Sequence, residues 1–406
     1  MSRLRVSIIG TAGSEPRYWP GMVFSSELAE GVVLALTAGP RSPREVAREL
    51  QRSEAEVEKI VAQLQALYAV RAEEDGRLAL DFSLLTAEDL RVVDEVAPSL
   101  GRGLAGHVLE GAEAIHGALD RLPGAESAAW RAQYTFATVG CMGLDWGGIA
   151  TLQRLGYVSS GREYPDGGKY VLIAEERRAA VRAKDYCGSH TGGGDRYVFT
   201  SFGDHSGPRH CLPDLFFRVE WAVGKAEWPP GLAAGVTAVV AHGQKRLYDE
   251  LGAMIAGERP AAGPCREFLA RLGYLADGAP LVPVFTAAAA GPVREIVAAV
   301  AQAVAQWAER TVPSLGEVLP GLTPVRLGVD RGCILNHIWH FIVAEANRFL
   351  AEEGFMLDPE PGPEGQGRYL AWVAEAAFNR TLDGVEGHWE PAVRPAPGPG
   401  LTTRER

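Results

Sequence analysis

The stretch from Ser42 to Phe82 constrains the fold of this chain more than any other. Ser42-Pro-Arg-Glu45 and Ser53-Glu-Ala-Glu56 are two capping boxes, each a serine followed three residues later by a glutamate, and each fixes the first turn of a helix. Pro43 stands at the first helical position, where a missing N–H costs nothing. Gln51-Arg52-Ser53 is the whole break between the two helices, so they must meet at a tight turn. Val57, Ile60, Val61, Leu64 and Leu67 then repeat at helical spacing, and Val70 to Phe82 reads as a hairpin turning at Asp75-Gly76. An earlier helix, capped by Ser25 or Ser26, carries Leu28, Val32, Val33 and Leu36 on one face and stops at Gly39-Pro40. Helix, helix, turn, helix and hairpin in that order predict a winged helix-turn-helix.

The chain has 406 residues, 47% of them hydrophobic, which is enough for more than one core. The order of patterns predicts an α+β, predominantly helical protein. Residues 1–24 form an N-terminal strand and loop, and 25–90 the winged helix. Residues 91–125 form a helical segment suited to dimer contact, and 126–285 a central α+β region. Residues 286–390 form a C-terminal helical region with long helices from Pro292 to Thr311 and from Ile334 to Glu352, and 391–406 a disordered tail rich in proline and glycine. Leu64 to Val70, Leu152 to Val158 and Phe268 to Leu275 resemble one another, each running into a glycine-containing turn. That likeness suggests a winged-helix-like supersecondary unit used up to three times.

A net charge of −11 argues against a general nucleic-acid coat or an attraction to anionic lipid, so any DNA contact must come from a local patch. No run reaches the roughly 18 uncharged apolar residues that span a bilayer, and the apolar run near Met1 is short for a secretory signal; no membrane partner and a cytoplasmic location are expected. The five cysteines, an odd number and widely scattered, suit free thiols or metal ligands better than a disulfide framework. Gly10-Thr-Ala-Gly13 lacks the lysine and serine or threonine of a P-loop.

Residues 25 to 82 resemble the DNA-binding domain of winged-helix regulators of the arsenic-repressor and multiple-antibiotic-resistance type, over about one seventh of the chain. The resemblance implies a homodimer on an operator in double-stranded DNA, with each third helix in a major groove and each wing near a phosphate backbone. The residues that would carry this contact are Arg41, Ser42 and Arg44 at the start of the second helix, Arg52, Ser53 and Lys59 near the third, and Arg71 and Arg77 in the wing. The same stretch, Ser25 to Leu90, holds thirteen acidic side chains against seven basic ones, and Glu54 and Glu56 stand where a groove-reading helix would face bases.

A second signal lies in the middle of the chain. Cys187 and His190 have the spacing of a Cys-x2-His knuckle, and His205, His210 and Cys211 follow about twenty residues later, a set from which zinc could take four ligands. Asp204 is available as a ligand or to orient a histidine. Cys333, His337 and His340, at i, i+4 and i+7, share one helix face and, with Trp339, Phe341 and Glu345, form a candidate effector pocket. No nucleophile elbow, His-Glu-x-x-His or kinase signature occurs. The reading these signals support is a DNA-binding regulator whose C-terminal region senses a metal or small molecule. The alternatives are a winged-helix module that docks a peptide or protein in a biosynthetic or maturation complex, and a zinc enzyme built on Cys187, His190 and a histidine from 205 or 210.

Overall fold

The computed structural model describes residues 3–13, 15–177, 187–204, 209, 211–214, 244–261, 263–361 and 367–382. The class is α+β and mostly helical. The expected tail, 391–406, lies outside the described residues, as do His205 and His210.

Strand β1 (Leu4–Thr11) is followed by α1 (Pro20–Val23), α2 (Glu27–Ala35), α3 (Pro43–Leu50), α4 (Glu54–Ala66) and the hairpin β2 (Val70–Ala72) and β3 (Leu78–Leu80). Both capping boxes form. The Ser42 hydroxyl accepts from Glu45 N, the Ser53 hydroxyl accepts from Glu56 N, and each glutamate carboxylate accepts from its serine N–H in return. Gln51, in the left-handed region at φ 54°, makes the turn between α3 and α4. Arg41 exchanges two backbone hydrogen bonds with Leu78, of 3.0 and 2.7 Å, which ties the entry of α3 to the hairpin.

Next come β4 (Ser83–Leu85), α5 (Ala87–Glu110), α6 (Ala112–Leu119) and α7 (Ala128–Thr135). The chain then winds without a break through a π-helix, Phe136–Gly147, into α8 (Gly148–Arg154). The remaining elements are β5 (Arg162–Glu163), β6 (Lys169–Glu176), β7 (Cys187–Gly193), β8 (Tyr197–Asp204), α9 (Gln244–Ile255), α10 (Gly263–Arg271), β9 (Leu275–Ala276), β10 (Ala279–Pro280), β11 (Val284–Phe285), α11 (Ala290–Val318), α12 (Thr323–Arg326), α13 (Arg331–Glu352), β12 (Tyr369–Glu375) and α14 (Ala376–Leu382).

Two small sheets flank a helical bundle. In the first, β6 is central, with β1 antiparallel and β4 parallel to it, and β5 turned back on its start. In the second the order is β11-β12-β8-β7, with β11 parallel to β12 and the other pairs antiparallel. Between them α5, the π-helix, α11 and α13 bury their apolar faces together, and one hydrophobic cluster runs from Val32 and Leu64 through Leu90 and Leu144 to Val300 and Trp339. Period-2 alternation splits the second sheet. Phe202 and Trp372 face the bundle, while Phe199 and Val373 face a separate cluster with Tyr248, Leu251, Leu269 and Tyr274.

Residues 25–90 therefore share the main core instead of closing one of their own. Tyr164 donates its hydroxyl to Leu67 O at 3.0 Å, packs edge-on against Tyr68, and Arg162 pairs with Asp81 at 2.8 Å. The segment expected to make a dimer contact also turns inward. Leu90, Val93, Ala97, Leu104 and Val108 of α5 are buried within the chain, and Gly101 lies against Glu345 and Ala346 of α13. Among the described residues one segment, Ala287–Pro313, is long and apolar enough to cross a membrane by length and composition; here Val293, Ile296, Val300, Val304 and Trp307 from it are buried.

The π-helix and the start of α8 pack closely through glycines. The i to i+5 turns of the π-helix are wide, and Gly140, Gly143 and Gly148 sit where a side chain would collide: a Cβ at Gly143 would lie 2.9 Å from Val300 Cβ, and one at Gly148 2.5 Å from Trp339. Trp339 in turn donates its indole N–H to Leu144 O at 3.1 Å.

Candidate nucleic-acid interface and buried polar clusters

Helix α4 is held from beneath by Val57, Val61 and Leu64, which are buried, while Glu54, Ala55, Glu58, Lys59, Ala62, Gln63 and Ala66 are exposed. Along the adjoining edge Arg44, Arg48 and Arg52 are exposed, and at the hairpin tip so is Arg77. Arg48 was not anticipated from the sequence; it lies one turn after Arg44 on the same helix.

The expected contact residues divide into two groups. Arg44, Arg52 and Lys59 point to solvent and form no ion pair among the described residues. The others are already engaged. Arg41 pairs with Glu49, and Arg77 with Asp75 at 2.6 Å. Arg71 donates to Leu80 O at 2.6 Å, to Glu73 at 3.1 Å and, across to α12, to Leu327 O at 3.3 Å. Ser42 and Ser53 spend their hydroxyls on the caps, and those hydrogen bonds hold the Glu45 and Glu56 carboxyls below the ordinary range, so both stay charged.

Two of the proposed zinc ligands lie on a strand. Cys187 and His190 are three residues apart in β7, so they point to opposite faces of the second sheet. His190 pairs instead with Asp214, Nδ1 donating to Oδ1 at 2.6 Å. The other oxygen of Asp214 accepts from Ser201 at 2.5 Å and from the Cys211 thiol at 2.6 Å, while Arg209 reaches Gly188 O and Gly203 O at 2.8 and 2.7 Å. Burial would raise Asp214, but His190, Arg209 and the Cys211 hydrogen bond bring it well below the ordinary carboxylate range. Burial beside that anion pushes the Cys211 thiol well up. Among the described residues no three His, Cys, Asp or Glu side chains are placed to hold a metal ion.

The expected effector pocket residues on α13 find separate partners. His337 Nε2 donates to Glu175 Oε1 at 3.3 Å, since a carboxylate only accepts, and Nδ1 shares a hydrogen bond of 2.9 Å with the Ser83 hydroxyl. Glu175 also pairs with Arg5. Burial opposes its charge, yet Arg5 and His337 together lower its pKa. His340 Nδ1 donates to Asn336 O at 3.0 Å, and its Nε2 lies 3.5 Å from Asp145 Oδ1. Glu345 pairs with Arg348, and the Cys333 thiol is pushed to about 11 by burial.

Sequence reasoning passed over Asp145, which the π-helix buries. Its Oδ2 accepts from Ser189 at 3.0 Å, and Ser189 accepts from Trp146 Nε1 at 2.7 Å. Burial raises Asp145 to about 7 and lowers His340 to about 4. An aspartate inside Gly-Leu-Asp145-Trp-Gly-Gly, an otherwise apolar and glycine-rich run, was the available signal. Compared with protein-family models, with curated proteins and with solved structures, the chain matches none.

Proposed function

We propose that this chain is a DNA-binding regulator that presents residues 25–82 as a winged helix-turn-helix. The observation that carries the reading is the α3 and α4 pair. The two helices are joined by three residues, Gln51 to Ser53, that turn on a left-handed Gln51, and α4 keeps its outer face free of packing beside the exposed cations Arg44, Arg48, Arg52 and Lys59. Arg77 at the hairpin tip suits a phosphate contact next to the groove. The body behind touches this module through Tyr164 and Arg162, a route by which a change in the body would reach the DNA-facing helices. A metal or small-molecule effector acting there belongs to the same proposal.

A protein or peptide partner is the second reading, and Glu54, Glu56 and Glu58, exposed on α4, favour it through their repulsion of phosphate. Fluorescence anisotropy with duplex DNA from the upstream region of the coding sequence separates the two. A DNA-binding regulator binds with affinity that falls steeply as salt rises, and Arg44→Ala with Lys59→Ala flattens that slope by about one unit for each phosphate no longer neutralised. No binding at low salt turns the reading to the docking module.

A further inference from the structure

The two halves of the chain are built alike. In the first sheet β6 lies between an antiparallel β1 and a parallel β4; in the second β12 lies between an antiparallel β8 and a parallel β11. The registers coincide. Leu4 pairs with Glu176 and Gly10 with Tyr170, as Tyr197 pairs with Glu375 and Gly203 with Tyr369. Leu85 pairs with Glu175 as Phe285 pairs with Ala374, the residue before the terminal glutamate in each case.

The hydrogen bonds outside the ladders repeat as well. Arg177 N donates to Arg3 O at 2.7 Å, and Ala376 N to Arg196 O at 2.8 Å. Leu85-Thr-Ala87 and Phe285-Thr-Ala287 both leave their strand so that the alanine N–H meets the closing glutamate of the central strand, Ala87 on Glu176 at 3.1 Å and Ala287 on Glu375 at 2.7 Å. A carboxylate from the first helix of each module caps the start of the first strand, Glu30 on Arg3 N and Asp249 on Arg196 N, both at 2.8 Å.

Corresponding helix ends close in the same way at two places in each half. In α4 and α10, and again in α8 and α13, the helix closes on a left-handed residue (Tyr68, Gly273, Gly156, Gly354), and the next N–H returns five residues to a carbonyl: Ala69 to Leu64, Tyr274 to Leu269, Tyr157 to Leu152 and Phe355 to Leu350. The sequence keeps traces: Gly10 and Gly203 lead to Pro16-Arg17 and Pro208-Arg209, and Lys-Tyr170-Val-Leu-Ile-Ala-Glu-Glu parallels Arg-Tyr369-Leu-Ala-Trp-Val-Ala-Glu.

We infer that the chain is an internal duplication whose two copies, about residues 3–177 and 196–376, clasp each other as a single-chain pseudo-dimer that engages an unsymmetrical DNA duplex as one molecule. The clasp is crossed: α5 of the first copy packs on α13 of the second, and α11 of the second on the π-helix of the first. Ser83 with His337, Asp145 with His340 and Gly101 with Glu345 all join one copy to the other. The bundle that a homodimer would build between chains is thus filled within one.

The copies differ where DNA would be met. After Gly39 the first copy continues into α3, which carries Arg44 and Arg48, with Arg52 in the turn beyond. After Gly257 the second copy reaches α10 within a few residues, leaving no room for a helix of that length. Its hairpin is cut to two-residue strands joined by Asp277-Gly278. Among the described residues only the first copy therefore has a complete helix pair. The duplex part of this inference rests on the DNA-binding reading; the duplication and the single-chain clasp do not.

The test uses the full chain. Light scattering behind size exclusion is expected to give one chain, 43.5 kDa, with and without chelator; twice that mass at micromolar concentration overturns the pseudo-dimer. Duplexes selected from a random-sequence library are then weighed in complex by native mass spectrometry. One chain per duplex, on sites without an inverted repeat, is expected; two chains on a palindrome overturn the proposal. Arg44→Ala with Arg52→Ala is expected to weaken binding to the selected duplex about tenfold or more, and Arg266→Ala in α10 to leave it unchanged; equal losses from both overturn the one-sided contact. A single-chain mass with no duplex selected overturns the DNA-binding reading and with it the duplex part, while the clasp stands.

Discussion

Asp145 Oδ1 and His340 Nε2 face each other at 3.5 Å inside the bundle, and each is an acceptor as its other contacts define it. His340 has committed its Nδ1 proton to Asn336 O, and Asp145 Oδ1 has no hydrogen-bond donor among the described residues. Burial disfavours the charged form of each, raising Asp145 to about 7 and lowering His340 to about 4. The two shifts act oppositely on stability. The raised Asp145 contributes stability that falls as pH rises from about 4 to about 7, and the depressed His340 contributes stability that grows from about 4 to about 6.5. In the parent chain they offset each other over most of that range. Asp145→Asn should leave the histidine slope alone, so urea unfolding shows stability rising between pH 4.5 and 6.5, by at most about 1.4 kcal/mol per pH unit. His340→Leu should reverse the sign. Parallel slopes in the two variants would show that the groups are not linked in this way.

Arg5 neutralises a carboxylate that the fold buries almost completely. Glu175 also holds His337, which holds Ser83, so one guanidinium supports a chain across β1, β6, α13 and β4. Removing Arg5 leaves the Glu175 charge with His337 alone. Arg5→Met should cost about 3 kcal/mol, in the range measured when one partner of a buried pair is removed. Glu175→Gln in the same background should recover part of the loss, because the stranded charge is gone. Equal stability of the single and double variants in denaturant titrations would refute that role for the charge.

How much of this was legible depends on how local its cause is. The two capping boxes, the turn at Gln51 and the hairpin at Asp75-Gly76 needed only neighbours in sequence, and each formed close to where the pattern placed it. The likeness among Leu64, Leu152 and Phe268 segments was visible for the same reason, since a left-handed helix end is a local event; the duplication we infer shows only in strand pairing across the chain. Asp145 escaped notice because the apolar, glycine-rich run around it hints at burial but does not say which distant residue, His340 of α13, will face it. Cys187 and His190 have a spacing that a knuckle and a strand share, and it is the pairing with β8 that makes this segment a strand. His337 and His340 do share a helix, but the elements packed on that helix give each its own partner.

Thiol chemistry should report the burial of the cysteines. Cys141, Cys187 and Cys211 are buried, Cys333 is half-buried with a pKa near 11, and Cys265 is half-exposed. In native protein at pH 8 an aromatic disulfide reagent should therefore label Cys265 first and Cys333 far more slowly, with a rate that climbs as pH approaches 11. Asp214→Asn removes the anion that raises the Cys211 thiol and loosens the cluster around it, so Cys211 should begin to react. Unchanged protection of Cys211 in that variant, read by peptide mass mapping, would show that packing alone shields it.

Two glycines of α5 offer a matched test of the clasp between the copies. Ala in place of Gly gains about 1 kcal/mol of helix propensity wherever the added methyl is free. At Gly106 a Cβ meets nothing within 4 Å, so Gly106→Ala should be neutral or stabilising. At Gly101 the same methyl would stand 2.5 Å from Glu345 Cβ and 2.7 Å from the Ala346 backbone nitrogen, contacts that only a shift of α13 can relieve. Overpacking of this kind costs about 1–3 kcal/mol, and here it falls on the contact that joins the first copy to the second. Gly101→Ala should therefore lower the thermal midpoint while Gly106→Ala holds or raises it. Because α13 also carries His337 and His340, the displaced helix should weaken both buried pairs, and amide exchange should quicken along α13 and β6 together. A Gly101→Ala chain as stable as Gly106→Ala would mean that α5 and α13 do not pack at this distance, and the crossed clasp would be without its tightest point.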